Sequence, residues 1–421
     1  MAKQPSHRRK YRQQSHSKSH AEGVIAPILQ GHTLVPAGTH EWIDTETELE
    51  ILCKKLELEK AFSFDTEFIG EESYYPNTCL IQIATAKQVS LIDPLKIKCL
   101  APLHAVICNP DVTTVVHAGN QDFEPIFRLF GARPVGIFDT QVAAGLVGLP
   151  WPLSLTKTIS NILQHNVSGH FTFSQWDARP LTKRQIYYAS DDVRYLLAIH
   201  DVLTKQLELL GRADWIQEEC QKITAPEAYG FNLKQVVKKI CRNKSPKKQE
   251  LQRIQALAMI RNNIAQRMNL PPKDVLPNEC ILFIAKNDIQ SGQQLPAIKG
   301  FPKNIANQYG EDILNVLRDS HKLDAVLLRK PHKIESEPKM RQELDGVWSL
   351  FNAYCIGKQL SPGLVSNRQN FTDWYLSLRL EEENQPITFM GWRANVLNEF
   401  GKILKSNSGI SFKFKDGLIA E

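Results

Sequence analysis

Five side chains in three separate segments have the types and the spacing that phosphodiester chemistry requires. Asp65 and Glu67 lie in FSFDTEF, Asp122 lies in VVHAGNQDFE, and Tyr188 and Asp192 lie in YASDDVRYLL. Four carboxylates brought together from such segments could hold two divalent cations against a phosphodiester. The sequence therefore indicates a metal-dependent enzyme that acts on phosphate esters.

The elements around these residues would place them on shared faces. Residues 61–68 form an apolar run typical of a buried strand, so Asp65 and Glu67, two positions apart, project from the same face. Residues 185–203 have the pattern of a helix, in which Tyr188 and Asp192 are one turn apart. A buried carboxylate pair is costly without cations or donors, which favours a functional interpretation over a solvated acidic surface.

Longer stretches around the three segments belong to recognisable motifs. They read FDTEFIGEESYYPNTCLIQIAT, then VVHAGNQDFEPIFRLFG with IFDTQVAAGLVG, then WDARPLTKRQIYYASDDVRYLLAIHDVL. Together they resemble the motifs of the DEDD exonuclease superfamily, in its tyrosine subclass, and most closely those of the ribonuclease D family. The resemblance is dense from residue 61 to about 222 and looser in the C-terminal half. It is specific, because all five expected positions are filled in the expected order.

The resemblance implies a role for each site residue. Asp65 would bridge both metals, and Glu67 with Asp192 would complete the site that activates water. Asp122 would hold the second metal, partly through water. Hard oxygen ligands suit Mg²⁺ or Mn²⁺, so two such cations and no small-molecule cofactor are expected. Tyr188 would orient or help deprotonate the attacking water; the alternative is a buried aromatic whose hydroxyl is tied to a carboxylate.

Polar residues near these motifs have plainer interpretations. Asp191 points about 100° away from Asp192 around the helix, which indicates a surface or capping residue. We expect His117 to be structural, Asp139 to cap the helix that follows it, and Asp93 to turn the chain before a proline. Gln82, in LIQIA, could face the metal site or bridge backbone groups.

The sequence departs from the family pattern beside the third motif. The pair Gln175-Trp176 replaces the usual Asp-Trp, and His170 stands where a lysine is common. These positions are expected to line the approach to the scissile end. The departure puts the substrate contacts in question and leaves the metal ligands unaffected.

Length and composition fit a protein of two or three domains. The chain has 421 residues, 42% of them hydrophobic, and no run approaches the ~20 apolar residues that span a bilayer. Its eight cysteines never occur in a Cys-x-x-Cys spacing, so they are expected to be reduced core thiols of a cytoplasmic protein.

Charge is unevenly distributed along the chain. Residues 1–20 carry six Lys or Arg and no acid, and residues 21–230 carry 16 basic and 26 acidic side chains. Residues 231–330 carry 18 basic side chains against 8 acidic ones. The basic segment could supply the counter-charge for RNA phosphates, with a solvated linker as the alternative. The predicted RNA-binding residues are Lys234, Lys238, Lys239, Arg242, Lys244, Lys247 and Lys248.

The pattern of elements predicts an α/β catalytic domain followed by one or two helical bundles. The resemblance implies a ribonuclease-H-like mixed sheet of five strands, one antiparallel, with helices on both faces. A single helix is expected over residues 183–209. From residue 246 the pattern is helical and resembles the HRDC module. The expected organisation is a disordered basic tail (1–23), an exonuclease domain (24–222), a linker (223–245), an HRDC-like domain (246–325) and a second HRDC-like region (326–421).

The resemblance implies a 3′-to-5′ exoribonuclease that releases nucleoside 5′-monophosphates. The expected substrates are structured RNAs with short unpaired 3′ ends, tRNA precursors above all, and the expected state is a monomer without membrane attachment. One alternative is a DNA 3′-to-5′ exonuclease, which would use the same ligands. Another is a non-catalytic RNA-binding scaffold, which the complete set of acids and Tyr188 disfavours.

Overall fold

A computed structural model describes most of the chain. The described residues are 27–167, 175–242, 244–287, 289–326, 328–329, 331–380, 389–406, 413–415 and 418–420. The basic tail predicted over 1–23 and His170 lie outside them.

A mixed β-sheet forms the centre of the N-terminal domain. Its strands are β1 (His40–Ile43), β2 (Ala61–Ile69), β3 (Asn77–Ala84), β4 (Val89–Ile92), β5 (Thr113–Val116) and β6 (Ile137–Asp139). They lie in the order β1-β4-β3-β2-β5-β6, and β3 is antiparallel to both of its neighbours. The remaining pairs are parallel, so the prediction of one antiparallel strand in a mixed sheet is confirmed.

The prediction of five strands is wrong, because β1 adds a sixth at the edge beside β4. Its sequence is HEWI, and only Ile43 is buried. A strand of four residues with one buried side chain has no alternation long enough to recognise in the sequence. The strand forms because its backbone pairs with β4, which the sequence pattern of these four residues does not predict.

Helices cover both faces of the sheet, as predicted. One face packs against α1 (Glu46–Glu59), α2 (Ala101–Ile107) and α3 (Glu124–Phe130), around a core that contains Phe62 and Phe64. The other face lies under α4 (Thr140–Leu146), α5 (Leu155–Leu163), α6 (Lys183–Arg194), α7 (Leu196–Leu209) and α8 (Ala213–Ile223).

The helix predicted over 183–209 is two helices that meet at Tyr195. α6 begins with a capping box in which the Thr182 and Gln185 side chains satisfy each other's backbone amides. Tyr195 separates α6 from α7, and it is almost fully buried. Apolar periodicity continues across the junction, so the sequence pattern alone did not reveal the break.

A second, helical domain follows, with its own apolar core. It contains α10 (Leu233–Cys241), α11 (Lys248–Met268), α12 (Pro272–Val275), α13 (Asn278–Lys286) and α14 (Lys303–Asp319), with 3₁₀ turns at Gly292–Ala297 and Ser320–Lys322. The short helix before it, α9 (Pro226–Tyr229), packs instead on α3 of the exonuclease domain, where the Phe127 and Tyr229 ring centroids are 5.5 Å apart. The segment predicted as a linker, 223–245, differs from that expectation because it contains α10. Val237, Ile240 and Cys241 of α10 are buried in the same core as α11 and α13.

The C-terminal region is helical and packs on the exonuclease domain. After a 3₁₀ turn at Lys333–Ser336 it contains α15 (Pro338–Gly357), α16 (Pro362–Val365), α17 (Arg368–Leu380) and α18 (Gly391–Lys405), and then the short strands β7 (Lys413–Lys415) and β8 (Leu418–Ala420). Phe351, Phe371 and Phe400 share one core with side chains of α4, α7 and α8. The long helix, four-residue helix and two further helices repeat the order of α11 to α14, as expected of a second HRDC-like region.

Polar contacts join the loop after β2 to the helical domain. The Tyr74 hydroxyl donates to Asn262 Oδ1 at 2.7 Å and accepts from Gln266 Nε2 at 3.2 Å. The Tyr75 amide donates to Asn269 Oδ1 at 3.1 Å. This loop therefore links α11 directly to the strand that carries Asp65. Among the helices described above, none combines the length and the apolar character that a membrane span requires.

Candidate active site

Three of the predicted carboxylates meet beneath α6. Asp65 and Glu67 project from β2, and Asp192 projects from α6, which packs across β2, β3 and β4. One carboxylate oxygen of each lies within 4.8 Å of the others. The two-residue spacing on the strand places the first two acids on one face, as predicted, and α6 brings the third onto that face.

Burial and mutual repulsion raise the pKa values of these carboxyl groups. Desolvation raises the pKa of Asp65 well above its usual range, and the nearby Asp122 and Asp192 add to the effect. Desolvation and the Asp65 charge raise the pKa of Glu67 to about 9. Burial, then the Glu67 charge, raises the pKa of Asp192 well above its usual range. Without a cation each carboxyl group favours its neutral form, and a bound cation would stabilise the ionised carboxylates.

Asp122 lies beside this group and is held separately. Its Oδ1 accepts hydrogen bonds from the Thr66 backbone amide at 3.1 Å and from Thr66 Oγ1 at 2.5 Å. β5 pairs only with residues 61–63 of β2. The Thr66 amide lies beyond this paired part of the strand edge, so it can bond to the loop before α3. Asp122 is buried, and desolvation raises its pKa to about 6 although the Thr66 bonds oppose the shift.

Tyr188 is bonded to the cluster from one turn earlier on α6. Its hydroxyl donates to the Asp192 carboxylate, and burial and the surrounding acids raise the pKa of the phenol. The Trp176 ring lies 6.3 Å from the Tyr188 ring, centroid to centroid. The helical spacing therefore gives the predicted juxtaposition with Asp192.

The polar neighbours are mainly structural, as predicted for Asp139 and His117. Asp139 caps α4 by accepting from the Gln141 and Val142 amides, and it also accepts from the amides of Ala118 and Gly119. The His117 ring bonds Thr140 Oγ1 and the Leu153 carbonyl oxygen, each at 2.9 Å. These contacts fix the backbone of the turn that leads to Asp122.

Asp191 differs from expectation, whereas Asp93 matches it. Asp191 is half-buried and accepts from Arg194 Nε at 3.3 Å, so it is an ion-pair partner and not a surface cap. Asp93 turns the chain after β4, as predicted, because its carboxylate accepts from the Leu95 amide at 3.1 Å and its carbonyl oxygen accepts from the Lys96 amide. It is fully buried and also accepts from Arg179 Nε at 2.7 Å and Nη2 at 2.8 Å. The Arg179 pair ties the end of β4 to the loop that leads into α6. Arg179 belongs to the Arg-Pro-Leu of the third motif, and this signal could have identified it as a structural residue, the half-buried partner of a buried aspartate.

The donor set fits hard divalent cations. All the side chains that converge are carboxylates, and the close oxygens come from Asp65, Glu67 and Asp192. Oxygen-only donors suit Mg²⁺-like ions better than zinc, which favours nitrogen and sulfur ligands. The Tyr188 hydroxyl adds a polar group beside the cluster that need not bind metal.

Comparison with known proteins gives the same picture as the geometry. Residues 40–208 match a family model described as a 3′-5′ exonuclease, and residues 250–317 match one described as an HRDC domain. A ribonuclease D of Acidiphilium cryptum is 32% identical over 368 residues, covering 86% of this chain and 92% of that protein. A ribonuclease D of Sphingobium indicum is 34% identical over 303 residues, covering 71% and 76%.

Solved structures extend the similarity across the domains. The crystal structure of Escherichia coli RNase D, described as an exoribonuclease involved in structured RNA processing, superposes with a TM-score of 0.71 at 26% identity. That match covers 87% of this chain and 98% of the other. The catalytic core of RRP6 from Trypanosoma brucei, at 22% identity and a TM-score of 0.53, shares the fold. With its acidic cluster in the expected place, the chain belongs to the ribonuclease D family of 3′-to-5′ exoribonucleases.

Proposed function

We propose that this exoribonuclease trims unpaired 3′ ends of structured RNAs, tRNA precursors above all, and releases nucleoside 5′-monophosphates. The observation that carries the proposal is the convergence of Asp65, Glu67 and Asp192 within 4.8 Å, with Tyr188 bonded to Asp192. The description of the Escherichia coli relative as a processor of structured RNA supports the substrate class. The eight cysteines, all within the described residues, are free thiols, which fits a reducing cytoplasm.

We assign Asp65 as the carboxylate shared by two cations. The family resemblance implies this role, and the position of Asp65 supports it: its carboxylate lies in the cluster with Glu67 and Asp192, and the next residue, Thr66, binds Asp122. Glu67 and Asp192 complete one half of the site, and Asp122, pinned by Thr66, serves the other. Two Mg²⁺ or Mn²⁺ ions bound there would activate water and stabilise charge on the phosphate and the leaving 3′ oxygen.

Tyr188 would orient the attacking water. Its hydroxyl proton is committed to Asp192, and the phenol oxygen therefore offers its lone pairs to a hydrogen bond from water. This arrangement would hold the water in line with the scissile bond without requiring Tyr188 to bind metal. Placing a reactant in this way lowers the activation barrier because less orientational freedom is lost in the transition state.

The RNA strand would be bound by the basic side chains on and just after α10. All seven predicted residues are exposed: Lys234, Lys238, Lys239, Arg242, Lys244, Lys247 and Lys248. Arg242 and Lys244 also line a cleft of about 330 Å³ between α10 and α13, together with Lys286 and Phe283. Phe283 is 48% exposed. An exposed aromatic ring among cations is suited to stacking one base of a single strand while the phosphates are neutralised.

The proposal is tested with a tRNA that carries a short unpaired 3′ tail and with a DNA copy of the tail region. Each substrate is incubated with the full-length protein, which we propose acts as a monomer, in Mg²⁺, Mn²⁺ or EDTA, and the products are resolved by length. We expect stepwise shortening of the RNA to 5′-monophosphates with either metal, and none in EDTA. Equal or faster cleavage of the DNA would favour the DNA exonuclease, and tailless tRNA cut as fast as the tailed form would refute the proposed substrate.

A further inference from the structure

The side chain of Gln82 on β3 is buried without a hydrogen-bond partner. Its relative exposure is 0%, and neither Oε1 nor Nε2 bonds to any described residue. An amide has four hydrogen-bonding sites, two donors and two acceptor lone pairs. Leaving such a group dry and unpaired is unfavourable, and the great majority of buried polar side-chain atoms are paired.

Gln82 lies directly beside the central carboxylate of the site. In the antiparallel pair of β2 and β3 its register partner is Asp65. Opposite residues in such a pair project from the same face, with Cβ atoms about 5 Å apart. On its other side Gln82 pairs with Leu91 of β4, which packs with residues of α6. The amide therefore lies on the face that carries the carboxylates, under the helix that carries Asp192.

The surrounding positions show that this part of the sheet is otherwise apolar. Leu80 and Ala84, two residues before and after Gln82 on the same face, are fully buried in the core with α6. The exception is Ser63, on β2 two residues before Asp65, whose buried Oγ also has no partner in the described part of the chain. The unpaired polar groups on this face flank Asp65, so they are concentrated where a ligand carboxylate needs support.

We propose that Gln82 is a positioning residue, which donates a hydrogen bond from Nε2 to the Asp65 carboxylate when the metal site is filled. A carboxylate accepts through about four lone-pair sites, so metal ligation leaves it capacity for an amide donor. Such outer contacts fix the orientation of a ligand, and losing one typically lowers metal affinity 10–100-fold. The inference rests on the proposed metal site and is independent of the RNA substrate.

The test compares two variants that each remove a buried, unpaired polar group. Gln82→Met keeps the length of the side chain and deletes the amide. Thr114→Val is the matched control, since Thr114 on β5 is equally buried and its Oγ1 is also unpaired among the described residues. Thr114 pairs with Phe62, so it faces the opposite side of the sheet. Mn²⁺ affinity is measured by calorimetry without RNA, and melting temperature is measured in EDTA.

We expect Gln82→Met to bind Mn²⁺ at least tenfold more weakly than the wild-type protein while melting in EDTA at the same or a higher temperature. Thr114→Val should match the wild type in Mn²⁺ affinity. An affinity of Gln82→Met within twofold of wild type would overturn the proposal. So would a lower melting temperature in EDTA, which would make the amide a structural group, or an equal loss of affinity in Thr114→Val. A wild-type protein that binds no Mn²⁺ would refute the metal site as well.

Discussion

At the scale of single residues, Asp65 has the most direct consequence for function. It lies among Glu67, Asp122 and Asp192, and burial with their charges disfavours its ionised form without cations. We expect Asp65→Asn to abolish hydrolysis, because the neutral amide is a poor ligand for the cation pair. In EDTA the variant should melt no lower than the wild type, since the substitution removes an acid that ionises freely in the unfolded chain but not in the folded one.

The measurements for this variant are the turnover rate at saturating Mn²⁺ and the melting temperature in EDTA. Asp111→Asn is a suitable control, because Asp111 is an exposed acid on the loop before β5. A loss of less than tenfold in turnover for Asp65→Asn would refute its assignment as the shared ligand.

Tyr188 permits a separate test of catalysis and binding. Tyr188→Phe retains the ring beside Trp176 and removes only the hydroxyl that donates to Asp192. We expect turnover to fall ~10²–10⁴-fold, the range typical of a group that positions or deprotonates a reactant, with Mn²⁺ and RNA affinities within about twofold. If the variant loses Mn²⁺ affinity as severely as Asp192→Ala does, the hydroxyl serves the metal ligand and not the water.

Residue spacing predicted which site residues share a face of a single strand or a single helix. Alternation on β2 gave Asp65 and Glu67 a common face, and helical spacing gave Tyr188 and Asp192 theirs. The support of Asp122 could not be read in this way. It depends on β5 ending at Val116, which exposes the Thr66 amide at the strand edge. Pairing between distant segments is a tertiary property that spacing along one segment does not contain.

At the scale of the element, β2 contributes both of its faces to the site. Thr66 projects opposite to Asp65 and Glu67, and its hydroxyl donates to Asp122. We expect Thr66→Val, which has nearly the same shape, to reduce turnover about tenfold, because Asp122 loses one of its two bonds to Thr66. Thr66→Ser should restore activity. Turnover and Mn²⁺ affinity are measured for the wild type, Thr66→Val and Thr66→Ser. A valine variant as active as the serine variant would show that the Thr66 backbone amide alone is enough to hold Asp122.

The sequence-based prediction of elements failed where tertiary contacts decide a boundary. β1 has one buried residue and exists because β4 offers it an edge. The break at Tyr195 lies within an apolar pattern that either one helix or two would satisfy. α10 lies in the segment predicted as a linker, 223–245, yet its apolar face completes the core of the helical domain. Where a capping box starts a helix, as at Thr45 and Thr182, the boundary is instead set by residues three positions apart.

At the scale of the whole molecule, the C-terminal helices are part of the exonuclease core. The α8 side chain Glu219 accepts from Trp392 Nε1 at 2.9 Å and from Arg393, and Arg212 donates to the carbonyls of Leu146, Lys358 and Gln359. A truncation that removes residues 231–421 would therefore expose a large apolar surface and leave buried charges unpaired. RNA binding by the basic segment has to be tested by substitution in the full chain.

The contact between the loop after β2 and α11 orients the two domains. Tyr74→Phe removes the hydroxyl that donates a hydrogen bond to Asn262 and accepts one from Gln266. Losing hydrogen bonds of this kind typically costs about 1 kcal/mol each. We expect KM for a tailed tRNA to rise about three- to tenfold, while turnover of a short oligonucleotide that reaches only the catalytic domain stays unchanged. Tyr309→Phe, on α14, is the control, and an equal effect on both substrates would place the defect inside the active site.

The uneven charge of the molecule predicts how its RNA affinity depends on salt. The exonuclease segment is acidic, and the exposed cations around α10 would provide long-range attraction for phosphates. The measurement uses an Asp65→Asn background, which prevents degradation of the RNA. We expect RNA binding to weaken when four lysines are reversed in this background: Lys234→Glu, Lys238→Glu, Lys244→Glu and Lys247→Glu. The slope of log affinity against log [KCl] should be shallower by about 3, since each phosphate contact contributes roughly 0.7 for a single strand.

The matched control reverses four exposed lysines of the exonuclease domain, Lys54, Lys55, Lys98 and Lys157. Lys54 and Lys55 lie on α1, which packs on the face of the sheet opposite α6. Both proteins lose eight units of charge, so a non-specific effect of net charge would change the two slopes equally. A change confined to the first protein would locate the phosphate contacts at α10 and the start of α11. An unchanged slope there would leave those lysines as a solvated surface, and the grip on RNA would have to come from another part of the molecule.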